Sequence, residues 1–246
     1  MTDRRRELAE GVAVVRDRVT RACDAAGRSP QEVSLVTVTK FFPAEDAALL
    51  AEIGCTDLGE SREQEASPKA ARCAELLAGT APATVAPRWH MLGRIQRNKA
   101  RAVARWAHTA HSVDSVRLAD ALGRGVARAV DEGERSDPLR VFLQVSLDDD
   151  PARGGVAIAD LGALADRVAG DAALRLAGLM AVAPLGSDPG TAFARLAETR
   201  RRLRADHPDA DGLSAGMSDD LEQAIAHGST CVRVGTAIMG PRPIIS

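Results

Sequence analysis

Eight short runs of β-branched and apolar residues alternate along this chain with stretches of helical period, and this alternation constrains the fold more than any other feature. After a first helix whose apolar face is Leu8, Val12, Val15 and Val19, strands are predicted to end near Lys40, Gly59, Gly93, Asp114, Leu147, Ala183, Gly216 and Gly235. Between them lie helical patterns such as PAEDAALLAEIG, GTAFARLAETRRRLRAD and SDDLEQAIAHG, several closed by glycine. The pattern predicts an α/β protein, a single (β/α)8 TIM barrel with an extra N-terminal helix, spanning 1–246 as one domain. An open doubly wound sheet is the alternative. With 246 residues, 45% of them hydrophobic, the chain has enough apolar material for the core of either.

Several function classes are disfavoured at this stage. A formal charge of −2 and 2% aromatic residues give neither the basic field nor the stacking surface that nucleic acid requires. No stretch approaches the ~20 apolar residues of a membrane span. Arg4, Arg5 and Arg6 precede an amphipathic run, ELAEGVAVVRDRVTRA, and read as a solvated helix face rather than an export signal. Cys23, Cys55, Cys73 and Cys231 are far apart with no histidine at ligand spacing, so they are expected to be buried thiols and no metal site is expected. These readings describe a soluble, cytoplasmic, small-molecule protein, a monomer or weak homodimer. The stretches GTAPATVAP and DDDPARGG read as its flexible pieces.

The run LVTVTKFFP places Lys40 at the end of a buried strand, where a barrel has its mouth. A lysine there has two readings: an amine whose neutral form attacks an aldehyde, or the ion-pair partner of a carboxylate such as Glu60 at the next strand end. The far end of the chain favours the first. In SAGMSDD, Ser218 is placed to cap the following helix, and in VRVGTAIMG, Gly235 and Thr236 close the last strand. Barrels frequently hold phosphate between their seventh and eighth strand loops. An aldehyde-seeking lysine and a phosphate cradle in one mouth point to pyridoxal 5′-phosphate.

The motifs VTVTK, DLGES, WHMLGRIQRNK, HSVDS, GLMAVAP, SAGMSDDLEQAIAHGST and VRVGTAIMG, in this order, resemble those of the YggS/PROSC family of pyridoxal phosphate homeostasis proteins, whose barrel is that of the N-terminal domain of alanine racemase. The resemblance implies that Lys40 forms the internal aldimine, that Met217, Ser218, Gly235 and Thr236 hold the phosphate, and that Arg233 faces the pyridine nitrogen. Ser61, His90 and Ser214 complete the expected cofactor-binding set. The sequence departs from the family at Ser61 and Ser146, where asparagine is usual, and at Arg153, where lysine is frequent. Asn98 reads as a further pocket residue and His90 equally as a hydrogen-bonded core residue. Strand alternation argues against an acid–base pair of His111 and Asp114. ETRRRLRAD reads as solvated surface, and Lys99 as either a surface residue or a second, looser cofactor site.

Catalysis is not required by any of this. A two-base racemase of the alanine racemase kind uses a tyrosine, and this chain contains none. Nor is a second domain expected, since the chain reaches Ser246 about where the barrel closes. The reading is a carrier that binds the cofactor through Lys40 and delivers it to free amines or to recipient enzymes. The alternative is a weak racemase or transaminase with Lys40 as its base. A third reading, a lysine aldolase without cofactor, stays open.

Overall fold

The computed structural model describes residues 3–78, 86–148, 150 and 153–242. Most of GTAPATVAP, together with Asp149, Pro151 and Ala152 of DDDPARGG and the terminal Ser246, lies outside the described residues.

A long helix α1 (Asp3–Ala25) precedes the first strand, as predicted. It is followed by β1 (Ser34–Val38), α2 (Ala44–Glu52), β2 (Asp57–Glu60), α3 (Glu63–Ala78), β3 (Arg88–Met91) and α4 (Ala100–Trp106). The middle of the chain forms β4 (Thr109–Val113), α5 (Val116–Asp131), β5 (Leu139–Gln144), α6 (Leu161–Ala169) and β6 (Leu174–Met180). Last come α7 (Pro189–Asp206), β7 (Gly212–Ser214), α8 (Leu221–Ala226), β8 (Cys231–Val234) and the short α9 (Thr236–Met239). Every strand ends within three residues of the predicted position. The eight strands pair in parallel in chain order, and β8 closes on β1 with Val36 opposite Arg233. The fold is a closed (β/α)8 barrel, and the open-sheet alternative falls.

Alternation along each strand separates two faces. Outward residues such as Leu58, Trp89, Leu143 and Val232 are packed under the helices. Leu8, Val12, Val15 and Val19 of α1 join the same layer; all are buried, at roughly 1.5–3 kcal/mol for each fully buried aliphatic side chain. Gly54 ends α2 in the left-handed region, φ +84°, which costs glycine nothing. The four cysteines are free and buried, as expected.

Two surface expectations change. Arg4 is not merely solvated, because it donates to Asp46 at 2.7 Å and to the Met239 carbonyl at 3.1 Å, tying α1 to α2 and α9. In ETRRRLRAD, Arg200 is half-buried against the Gly228 carbonyl at 3.1 Å, because α7 turns that residue under the end of the barrel.

The inward face departs from the aliphatic filling usual in such barrels. It carries Asp57, His90, His111, Ser214 and Arg233, all buried, beside apolar residues such as Val36, Val38 and the small cluster of Phe142, Ala177 and Met180. Buried polar groups need partners, and these supply one another.

Candidate functional site

A cavity of about 660 Å³ opens at the C-terminal ends of the strands. Lys40, just past β1, lines it together with Ser61 past β2, Met217 and Ser218 past β7, and Arg233, Gly235 and Thr236 of β8 and its exit. Barrel closure therefore brings together seven of the nine residues expected from the sequence.

Lys40 has no ion pair among the described residues. The carboxylate considered as its partner is taken by another amine: Lys69 of α3 donates to Glu60 Oε1 at 2.6 Å and to the Thr39 carbonyl at 2.9 Å. Thr39 Oγ1 donates a second bond to the same Glu60 oxygen at 2.7 Å. The following residue, Phe41, has φ +72°, a conformation that costs a bulky residue roughly 1–2 kcal/mol. Its ring is held between the guanidinium groups of Arg62 and Arg242, at 5.8 and 4.6 Å from the centroid. The turn that carries Lys40 is thus pinned at both of its flanking residues, while the amine lies 6.0 Å from the centroid of the same Phe41 ring and forms no ion pair among the described residues.

Across the cavity, Ser218 does not cap a helix. Asp220 precedes α8, and its carboxylate accepts the Met217 N–H at 2.6 Å, so a carboxylate does the turn-fixing work expected of the hydroxyl. Ser218 is instead anchored through its carbonyl, which accepts from Arg18 at 2.8 Å. The turn needs Gly216, φ +94°, whose added Cβ would lie 2.7 Å from Ala224. Beyond β8, the Gly235 carbonyl accepts from both Ile238 and Met239. The N–H groups of Thr236 and Ala237 precede the first bonded turn and so have no intrahelical acceptor.

Arg233 is buried and forms no ion pair among the described residues. It donates to Ser214 Oγ at 2.6 Å and to the Ala181 carbonyl at 3.1 Å, and burial pulls its pKa down.

His90 and Ser214 do not line the mouth. Ser214 is wholly buried beneath Arg233, and His90 lines the cavity at the opposite end of the barrel, level with Thr109 at the start of β4. Both belong to a chain of hydrogen bonds through the interior. Asp57 Oδ1 meets His90 Nε2 at 2.9 Å, His90 Nδ1 meets His111 Nε2 at 2.8 Å, and His111 Nδ1 meets Ser214 Oγ at 2.8 Å. The tautomers follow from the two ends, since Arg233 only donates and an ionised Asp57 only accepts. Each proton then points from Arg233 toward Asp57: from Arg233 to Ser214, from Ser214 to His111, from His111 to His90, from His90 to Asp57. Nothing in the one-dimensional pattern revealed this chain beyond the polar residues at inward positions.

Of the remaining candidates, Ser146 is buried with its hydroxyl unpartnered among the described residues and away from the mouth. Arg153 binds the Ala183 carbonyl at 2.8 Å. Lys99 lies 3.6 Å from Glu63, which favours the ordinary surface reading. Asn98 and Asp114 face a separate outer groove.

The interior histidines make stability pH-dependent. Burial, with nearby arginine charges, holds His90 and His111 below the usual range, and pushes His108 down to about 4. Below pH ~6.5 the unfolded chain binds protons that the folded chain refuses, so stability falls as pH drops, by up to about 1.4 kcal/mol per pH unit for each such proton. Asp57, whose pKa His90 and Arg88 hold well below the carboxylate range against the cost of burial, favours the fold above pH ~3.9 and so does not offset this loss. Urea midpoints should therefore decline steadily from pH 7 to pH 4.5; a flat profile would contradict neutral interior histidines.

Comparison with known proteins places this geometry in context. Residues 16–243 match the family model described as alanine racemase, N-terminal domain. The pyridoxal phosphate homeostasis protein of Mycobacterium leprae is 52% identical over 243 residues, covering 97% of this chain and 94% of that protein. The protein of the same name from Escherichia coli K12 is 36% identical over 243 residues, covering 96% and 97%. Among solved structures, PipY of Synechococcus elongatus with PLP bound superposes with a TM-score of 0.78 at 32% identity, covering 95% of this chain and all of that one. Alanine racemase from Corynebacterium glutamicum shares the fold, with a TM-score of 0.61 at 16% identity over 98% of this chain and 62% of its own.

Proposed function

Because the chain belongs to the pyridoxal phosphate homeostasis proteins, a family built on the alanine racemase N-terminal domain, we propose that its mouth cavity binds pyridoxal 5′-phosphate and that the protein holds and hands over this cofactor. The observation that carries the reading is Lys40, an amine at the barrel mouth with no carboxylate partner, facing free N–H groups and hydroxyls across the same cavity. The residues present fit the group. A volume of about 660 Å³ lies within the range of small-molecule sites, and the donors across it suit a phosphate.

When bound, the cofactor supplies an aldehyde that reacts reversibly with amines and a ring able to withdraw electrons. Lys40 is the residue to which it is joined. Ser218, Thr236 and the adjacent N–H groups hold the phosphate, with Met217 and Ser61 along the walls. Arg233, a permanent cation, disfavours protonation of a neighbouring ring nitrogen, which weakens electron withdrawal and with it any proton abstraction from an amino acid. Holding and exchange suit such a site better than turnover, and the acceptor is an amine, free or on an enzyme that uses the cofactor.

Borohydride reduction of the cofactor-treated protein, followed by mass mapping, should place a phosphopyridoxyl group on the peptide containing Lys40. Absence of that adduct would overturn the reading. Incubation with single L-amino acids in deuterated water should give α-proton exchange no faster than free cofactor; faster exchange would replace the carrier with a racemase or transaminase.

A further inference from the structure

The opposite end of the barrel carries a second cavity of about 590 Å³, which shares no lining residue with the mouth. That end of a (β/α)8 barrel ordinarily serves stability. Here four arginines line it, and two of them have evident structural work. Arg88 grips Asp57 through two nitrogens at 2.9 and 2.7 Å. Arg28 binds the Ile225 and Ser229 carbonyls at 2.9 and 2.8 Å and pairs with Glu32.

Arg140 and Arg200 are different. Arg140, half-buried in β5, makes no side-chain hydrogen bond or ion pair among the described residues, and its register neighbour on β6 is another arginine, Arg175. Arg200 gives one N–H to the Gly228 carbonyl, but its enclosed Nε–H finds no acceptor. Asp211 lines the cavity yet forms an ion pair with neither. Burial lowers the pKa of both guanidinium groups, a sign that their charge is held at a cost. One enclosed Nε–H without an acceptor among the described residues, and one unpaired guanidinium beside a like charge, contribute little to stability.

We propose that this floor cavity is a binding site for a small phosphate-bearing anion, held by the guanidinium groups of Arg140 and Arg200. Planar guanidinium forks match the oxygens of phosphate, and the hydroxyls of Thr109 and Thr230 border the same space. With His90 and His108 held below the usual range, and with Arg88 paired to Asp57 and Arg28 to Glu32, Arg140 and Arg200 face only the Asp211 carboxylate in this cavity and leave it an excess of positive charge. The volume exceeds that of inorganic phosphate and admits a small organic phosphate. This site stands independently of what the mouth binds.

The test is calorimetric titration with inorganic phosphate at constant ionic strength, on protein before and after pyridoxal 5′-phosphate is fixed at the mouth by borohydride and the excess removed. One phosphate site should survive in the loaded protein, and Arg140→Gln and Arg200→Gln should each weaken it roughly tenfold or more. If the mouth reading fails and the cofactor does not load, the two substitutions still locate the site. Phosphate binding that is absent, that the cofactor displaces completely, or that neither substitution affects would overturn the proposal. Should the variants not fold, crystals of the unaltered protein soaked in selenate decide the matter: an anomalous peak between Arg140 and Arg200 supports the site, and its absence there overturns it.

Discussion

Replacing Lys69 with methionine should lower the free energy of unfolding by about 3–5 kcal/mol, because it leaves the Glu60 carboxylate buried without its cation. Glu60 is fully enclosed, and Lys69 is nearly so. One carboxylate oxygen gathers the Lys69 ammonium and the Thr39 hydroxyl, while the other, Oε2, has no partner among the described residues. Without the amine, that site retains a single neutral donor and must protonate or admit water. Urea denaturation of the variant checks this, with an unchanged slope required for the difference to be read as stability. Adding Glu60→Leu to Lys69→Met should recover much of the loss, since removing both charges also removes the desolvation they carry. A loss below about 1 kcal/mol for the single change would mean that the pair is open to water.

Lys40→Ala should do the reverse: leave the fold intact and abolish the phosphopyridoxyl adduct. Its ammonium forms no ion pair among the described residues, so deletion orphans no buried charge and should shift the unfolding free energy by no more than about 0.5 kcal/mol, as for ordinary surface changes. Reduction with borohydride after incubation with pyridoxal 5′-phosphate should then yield no modified peptide at the mouth. The cofactor should still be retained loosely through its phosphate, because Ser218 and Thr236 are untouched; equilibrium dialysis reads this directly. An adduct persisting at unchanged yield in Lys40→Ala would move the covalent site to another lysine. On the proposed function, two lysines, one just past β1 and one on α3, divide the work, Lys69 serving the fold and Lys40 the ligand.

Much of this was legible in the chain. Strand and helix periods alternate strictly enough that the eight-stranded barrel and its leading helix follow from local patterns, and each functional loop stands beside a strand whose end can be placed within three residues. That Lys40, Ser218, Gly235 and Thr236 line the mouth could be anticipated, because the end of a parallel strand is a position that sequence can mark. The resemblance added Ser61, Met217 and Arg233 as residues of the mouth, which spacing alone left ambiguous.

What local patterns could not supply is depth along the barrel axis and the choice of partner across it. Alternation says that His90 and Ser214 point inward, but not that His90 belongs to the floor or that Ser214 lies beneath Arg233. The bonds that decide this join residues 21 and 103 positions apart, His90 to His111 and His111 to Ser214. The contest between Lys40 and Lys69 for Glu60 has the same origin, since α3 must fold back onto β2 before the second amine arrives. The chain alone therefore determined the architecture and the loops that make the mouth, because periodicity and strand ends are local properties. Only the closed tertiary structure decided which charges are paired, which histidines are joined and which arginines are left over, because buried polar groups choose partners by distance in space.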